Sequence, residues 1–171
     1  MSNNFLEQLV AEYYEYAEEC FVRRNVKVGK RAKGGYAGEL DVVAYNPKKA
    51  IIYHIEPTMD ADSWEERERR YNKKFELGRK YIPELFKPLS RKNPKIRQIM
   101  LLGYGSNTVH NEIAGGDIIT VEEFLKMVIK KFKNKDIYKD AVPENFTILR
   151  TIQFMISKGL AVTQSNEVPN E

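Results

Sequence analysis

The sequence predicts an α/β fold in which a central mixed sheet is flanked by helices. Three observations carry that prediction: an amphipathic segment opens the chain, three strand-like segments follow with short connections, and a long capped helix then leads into an unbroken apolar strand. Short connections make antiparallel neighbours. A helical crossover brings the chain back parallel to the strand it left, so the sheet must be mixed.

The first element, about residues 4 to 19, sets Phe5, Leu9, Val10, Tyr13 and Ala17 near one side at helical spacing, as a surface helix against a sheet requires. FVRRNVKV, residues 21 to 28, alternates loosely as a strand does, and KVGKRAKGGYAG supplies a glycine-rich, basic connection. GELDVVAY and AIIYHIEPT are the next two strands, joined into a hairpin by a short NPKK turn. Asp62 with Glu65 three residues on is a capping-box arrangement, opening a long helix that ends near Phe86. KPLSRKNPK is a loop by its prolines, and IRQIMLLGYG is a buried fourth strand by its continuous apolar run. DII is a short strand candidate, Thr120 with Glu123 opens a helix over VEEFLKMVIKKF, and a last helix covers about Glu144 to Lys158. From about Val162 the chain is a polar tail.

A chain of 171 residues is long enough for one core and too short for two ordinary domains, so one domain over residues 1–160 and a tail over 161–171 are expected. With 42% hydrophobic and 30% charged residues, the composition is that of neither a disordered nor a membrane protein. No apolar run approaches a membrane span, and MSNNFLEQLVAEYYEYAEE lacks the basic start and apolar stretch of a signal peptide. A cytoplasmic protein with no membrane partner is expected. Cys20 is the only cysteine, which excludes an internal disulfide framework and a cysteine zinc site. The net charge is only +4, but Arg23, Arg24, Lys27, Lys30, Arg31 and Lys33 crowd into one stretch. That clustering suits a polyanionic partner, and a solvated basic loop would look the same.

Asp41 and Glu56 are the residues that point to chemistry. At period 2, Glu39, Asp41 and Val43 share one face of their strand, and His54, Glu56 and Thr58 share one face of the next, so the hairpin brings the two acids together. A carboxylate set among apolar strand residues is costly to desolvate and needs a hydrogen-bond partner, a cation or a role. Two hard oxygen donors suit magnesium or manganese, which keep several waters and need only one or two protein carboxylates. Edge acids facing water are the alternative. Glu39 is either a supporting partner of Asp41 or exposed, and His54 either binds metal, moves a proton or is a hydrogen-bonded core residue.

In the order helix, basic strand, GELDVVA strand, IIYHIE strand and long helix, the chain resembles the PD-(D/E)xK superfamily, the restriction-endonuclease-like nucleases, over about residues 5 to 103. GGYAGELDVVA is similar to the GEID-type strand of Holliday-junction-resolvase-like members. The resemblance implies an αβββαβ core with C-terminal helical additions, divalent-metal catalysis with Mg2+ or Mn2+, and a DNA substrate. Asp41 matches the metal-binding aspartate, Glu56 the acid of the third strand, and Glu7 the acid that some members carry on the first helix, with Glu12 as the other candidate. The family lysine two residues after the third-strand acid is absent, since Pro57 and Thr58 stand there. Members can supply it from the following helix. There Trp64, Tyr71, Phe75, Gly78 and Ile82 form the apolar stripe, with Arg67 and Lys74 on its flank and Lys73 nearly opposite. Lys74 is therefore the expected lysine, although a lysine at a stripe's edge can equally snorkel. Arg67 is expected to contact a phosphate or to pair with Glu56, although a plain salt bridge with an acid on the helix fits its position as well, and the basic residues from Arg23 to Lys33 are expected to lie along the DNA backbone. A catalytically silent DNA-binding module that lost its lysine, or an RNA-acting nuclease, would share these features. Cleaving both strands of a duplex calls for a homodimer or successive nicking.

Overall fold

The computed structural model describes residues 4–87 and 94–160. Its centre is one six-stranded sheet of order β1-β2-β3-β4-β6-β5, from Phe21–Lys30, Tyr36–Asn46, Ile51–Thr58, Lys95–Leu102, Glu112–Ile113 and Gly116–Thr120 numbered along the chain. β1, β2 and β3 form an antiparallel meander, β3–β4 and β4–β6 are parallel, and β5–β6 is antiparallel. The helices are α1 (Phe5–Glu12), α2 (Trp64–Leu85), α3 (Val121–Phe132) and α4 (Thr147–Ser157). The fold is thus the expected α/β arrangement, a mixed sheet flanked by helices. Among the described residues no helix is long and apolar enough to cross a membrane. Most of KPLSRKNPK and the tail from 161 lie outside the described residues.

The sheet separates two apolar layers by strand alternation. On one side Val42, Ala44, Tyr53, Ile55, Ile99 and Leu101 pack against α1, α3 and α4, with Leu9, Phe124 and Leu149 among the buried residues. On the other, Val43, Tyr45, Ile52, Met100 and Leu102 pack under α2, which buries Tyr71, Phe75, Gly78 and Ile82 as its stripe predicts. The helix approaches closest at Gly78, where a Cβ would fall 2.4 Å from Nδ1 of His54. No side chain larger than hydrogen fits there without moving the imidazole.

Several expectations shift in detail. Phe5 is 57% exposed, and Leu6 takes its place with Leu9, Val10 and Tyr13, so the buried face is rotated by one residue. Beyond Glu12 the helix continues as a π-helical turn, Tyr13–Ala17, whose extra residue per turn shifts the buried face so that adjacent Tyr13 and Tyr14 are both buried. Ser63, rather than Asp62, caps α2 by accepting from Glu66 N–H, because Asp62 is engaged by Arg70 at 2.6 Å. Thr120 and Glu123 form the predicted capping box of α3. The last helix starts at Thr147 rather than Glu144, and its orphan N–H at Leu149 donates to the Glu12 carboxylate at 2.8 Å. Glu12 is therefore a buried cap joining α1 to α4.

Two stability outcomes follow. Gly78→Ala, which in an ordinary helix interior stabilises by about 0.5–1 kcal/mol, will instead destabilise by roughly 1–3 kcal/mol, the range for overpacking, as urea unfolding will read. Glu12→Ala will lower stability by about 1–2 kcal/mol, since it leaves a buried helix terminus uncapped, while Glu7→Ala in the same assay will change it far less.

Candidate active site

Asp41 and Glu56 meet one step beyond the β2–β3 ladder, which runs from Asn46↔Ile51 to Val42↔Ile55. There β2 is irregular: Gly38 abuts Leu77 of α2, and Leu40, Val43 and Tyr45 all pack in the layer under α2, so the two-residue alternation slips by one at Asp41. Across from Asp41, between the pairs Arg24↔Val42 and Val26↔Leu40, Asn25 takes a left-handed φ of 52°. The slip corrects the expected face of β2: Glu39 is exposed and takes no part, while the backbone N–H of Asp41 donates to Glu56 Oε1 at 3.2 Å.

Lys74 completes the site from α2. Its ammonium donates to Asp41 Oδ2 at 2.9 Å and to Glu56 Oε2 at short range, bridging the two carboxylates. Lys73 is exposed on the helix's outer side. The gradation of burial is steep, with side-chain exposures of 28% for Lys74, 15% for Asp41 and 0% for Glu56, so the site opens past Lys74 and Asp41 with Glu56 behind them. Tyr71, also from α2, donates its hydroxyl to the Glu56 carbonyl at 2.9 Å and fixes the strand beneath.

The electrostatics follow from two acids sharing one cation. Burial first, then the hydrogen bond and charge of Glu56, push the Asp41 carboxyl up to about 8. Burial opposes ionisation of Glu56 as well, but the hydrogen bond from His54 and the charge of Lys74 outweigh it and hold Glu56 low. Desolvation disfavours the Lys74 ammonium, yet Glu56 and Asp41 together raise it above its usual value, so it is a charged donor rather than a base. Two hard carboxylates short of one positive charge are a donor set that fits Mg2+ or Mn2+. Among the described residues no group of three or more His, Cys, Asp or Glu side chains forms a complete metal cage, so waters would fill most of the coordination shell.

The remaining candidates are placed elsewhere. Glu7 accepts from Asn4 at 3.0 Å in the first turn of α1, and no hydrogen bond joins it to Asp41 or Glu56. Arg67 is 6% exposed and donates from Nε to Asp60 Oδ1 and from Nη2 to the Asp60 carbonyl, both at 3.0 Å, rather than pairing with Glu56 or facing a phosphate. Arg23, Arg24, Lys27, Lys30, Arg31 and Lys33 are all exposed along the edge strand β1 and the turn after it, and among the described residues none forms an ion pair. β1 neighbours β2, so this row runs about 5 Å from the strand that carries Asp41.

Three residues escaped the sequence reading. Asp60, two residues beyond the end of β3, gathers Thr58, Arg67 and Arg70: burial opposes its charge, but their hydrogen bonds bring it down to about 2. Arg70 lies one turn before Lys74, half-exposed, and its i, i+4 spacing from that lysine was the available signal. Gln98 is 7% exposed beside His54, and a lone amide within the apolar run IRQIMLL was its signal. Comparisons with protein-family models, curated proteins and solved structures find no match.

The shifted acid sets a pH dependence. Asp41 holds its proton more tightly folded than unfolded, so its contribution to stability falls as pH rises from the ordinary carboxylate range towards 8. Glu56 has the opposite slope and is present in both proteins compared. Asp41→Asn, with no proton to lose, will raise the melting temperature in EDTA at pH 8 by roughly 4 °C, equivalent to about 1–2 kcal/mol in a chain this size, and will change it little near pH 4.

Proposed function

We propose that the protein is a metal-dependent endonuclease of the PD-(D/E)xK, restriction-endonuclease-like kind, hydrolysing phosphodiester bonds in DNA. The observation that carries the reading is the Lys74 ammonium seated between Asp41 and Glu56. It supplies, from the helix after β3, the third member of the acid–acid–lysine set that Thr58 leaves missing from the strand. The element order α1, β1, β2, β3, α2, β4 is the αβββαβ order the resemblance implies.

Asp41 and Glu56 would hold the cation, presenting Oδ and Oε oxygens from adjacent strands. When bound, a magnesium or manganese ion neutralises charge on a phosphoryl oxygen and acidifies water. Lys74, relieved of part of its carboxylate pairing, points its protons at the attacking water or at the equatorial phosphoryl oxygens, where charge grows in the transition state. Arg70, one turn earlier on the same helix and paired with Asp60 and Asp62, offers a second, half-exposed cation to the backbone. The row from Arg23 to Lys33 supplies sequence-independent phosphate contacts, which position a duplex without reading bases. One chain carries one such site, so a homodimer or successive nicks would be needed to break both strands.

The test is cleavage of supercoiled plasmid with Mg2+ or Mn2+, with matched RNA substrates alongside. Wild type is expected to nick or linearise DNA, Asp41→Ala and Glu56→Ala to abolish cleavage, and Lys74→Ala to slow it by about 10²- to 10⁴-fold, the range for a positioned proton donor. Salt-sensitive DNA binding with no cleavage by any variant would instead identify a catalytically silent binding module, and cleavage of RNA alone would reassign the substrate.

A further inference from the structure

Glu56 meets different partners at its two oxygens, and one of them, His54, is entirely buried. Oε1 accepts from His54 Nε2 at 2.7 Å and from the Asp41 N–H at 3.2 Å, while Oε2 faces Lys74. His54 is 0% exposed, so no solvent water competes for its ring. Its other nitrogen, Nδ1, lies 3.0 Å from the amide nitrogen of Gln98, its register partner on β4.

The orientation of that amide is fixed from two sides. Gln98 Nε2 donates to the Phe75 carbonyl at 2.9 Å, and Gln98 Oε1 accepts from an Arg79 guanidinium N–H at 2.7 Å, so a flipped amide would put donor against donor and acceptor against acceptor. The Gln98 NH2 therefore faces Nδ1, which must be the unprotonated acceptor. The ring proton is then on Nε2 and is donated to Glu56. Both ring nitrogens are engaged, which rules out the direct metal-ligand role open to His54 in the sequence. Gly78 leaves the space the ring needs, since any Cβ there would meet both Nδ1 and Cε1.

We propose that His54, locked by Gln98 and Arg79 in its neutral Nε2–H form, is a positioning residue. It anchors Oε1 of Glu56, so that the carboxylate meets Lys74 or a divalent cation through Oε2 alone. The arrangement makes Glu56 a one-oxygen ligand whose plane cannot rotate. Its consequence for catalysis rests on the nuclease reading; its consequence for Mn2+ binding does not.

The experiment compares wild type with His54→Phe, His54→Gln and Gln98→Leu. In metal-free wild type, imidazole ¹⁵N NMR is expected to give the Nε2-protonated neutral tautomer for His54, and Gln98→Leu to give a mixture. By Mn2+ electron paramagnetic resonance, His54→Phe should weaken binding about 10- to 100-fold, the usual effect of removing a partner of a metal ligand. His54→Gln keeps a donor near the Nε2 position and should restore most of the affinity. If His54→Phe does not fold, Gln98→Leu carries the affinity test, with a loss of about 10-fold expected. An Nδ1-protonated ring in wild type, or wild-type Mn2+ affinity in a folded His54→Phe or Gln98→Leu, overturns the proposal. If plasmid cleavage survives in those variants, the nuclease reading still stands. Conversely, the expected tautomer and affinities in a protein that cuts no nucleic acid would retain the positioning role and remove the nuclease. A wild type that binds no Mn2+ overturns both.

Discussion

The bridge from Lys74 to Asp41 and Glu56 is the interaction on which the α2 side of the molecule depends. Two carboxylates brought this close in a buried setting repel each other and lose hydration, and one ammonium between them offsets both effects. The bridge also sets the register of a helix over a sheet. With Lys74 at the acids, Tyr71 falls one turn-face earlier on the Glu56 carbonyl, Gly78 falls over His54, and Ile82 reaches the apolar layer under β2. A helix shifted by one residue would lose all four contacts together.

The sheet divides labour between its faces. The α1, α3 and α4 side is an apolar layer whose one buried acid, Glu12, is a helix cap. The α2 side concentrates the buried polar groups His54, Glu56, Arg67 and Gln98, all hydrogen-bonded. One backbone irregularity adjoins the site, where Asn25 takes a positive φ opposite the slipped segment of β2. Such a deformation releases the Asp41 N–H to a side chain and is sustained because the surrounding contacts over-determine it.

How much of this could be read in the sequence depended on whether the signal was local. The strands and α2 announce themselves by period, and Asp41 and Glu56 by being charged residues in apolar strands joined by a short turn. Lys74 follows from the angular position of one residue on a well-marked stripe. The partners of Arg67 and His54 are a different matter. Asp60 competes for Arg67 from a loop without periodicity, and Gln98 reaches His54 only through the parallel β3–β4 register, which a crossover of uncertain length does not disclose. Likewise Phe5 and Leu6 both suit a helix, and only the packed sheet selects Leu6.

The Glu12 cap on α4 has a consequence for the order in which the protein can assemble during translation. α1 precedes every other described element of this fold, but one of the two donors to its buried Glu12 carboxylate is the N–H of Leu149, 137 positions later. Until that residue emerges, Glu12 keeps only the Gln8 amide, at 2.9 Å, as a donor, and the apolar inner face of α1 lacks α3 and α4. Every element that lines the α2 face lies before α3 in the chain, whereas the α1 face waits for α3 and α4, so it is the later of the two whose elements are all made.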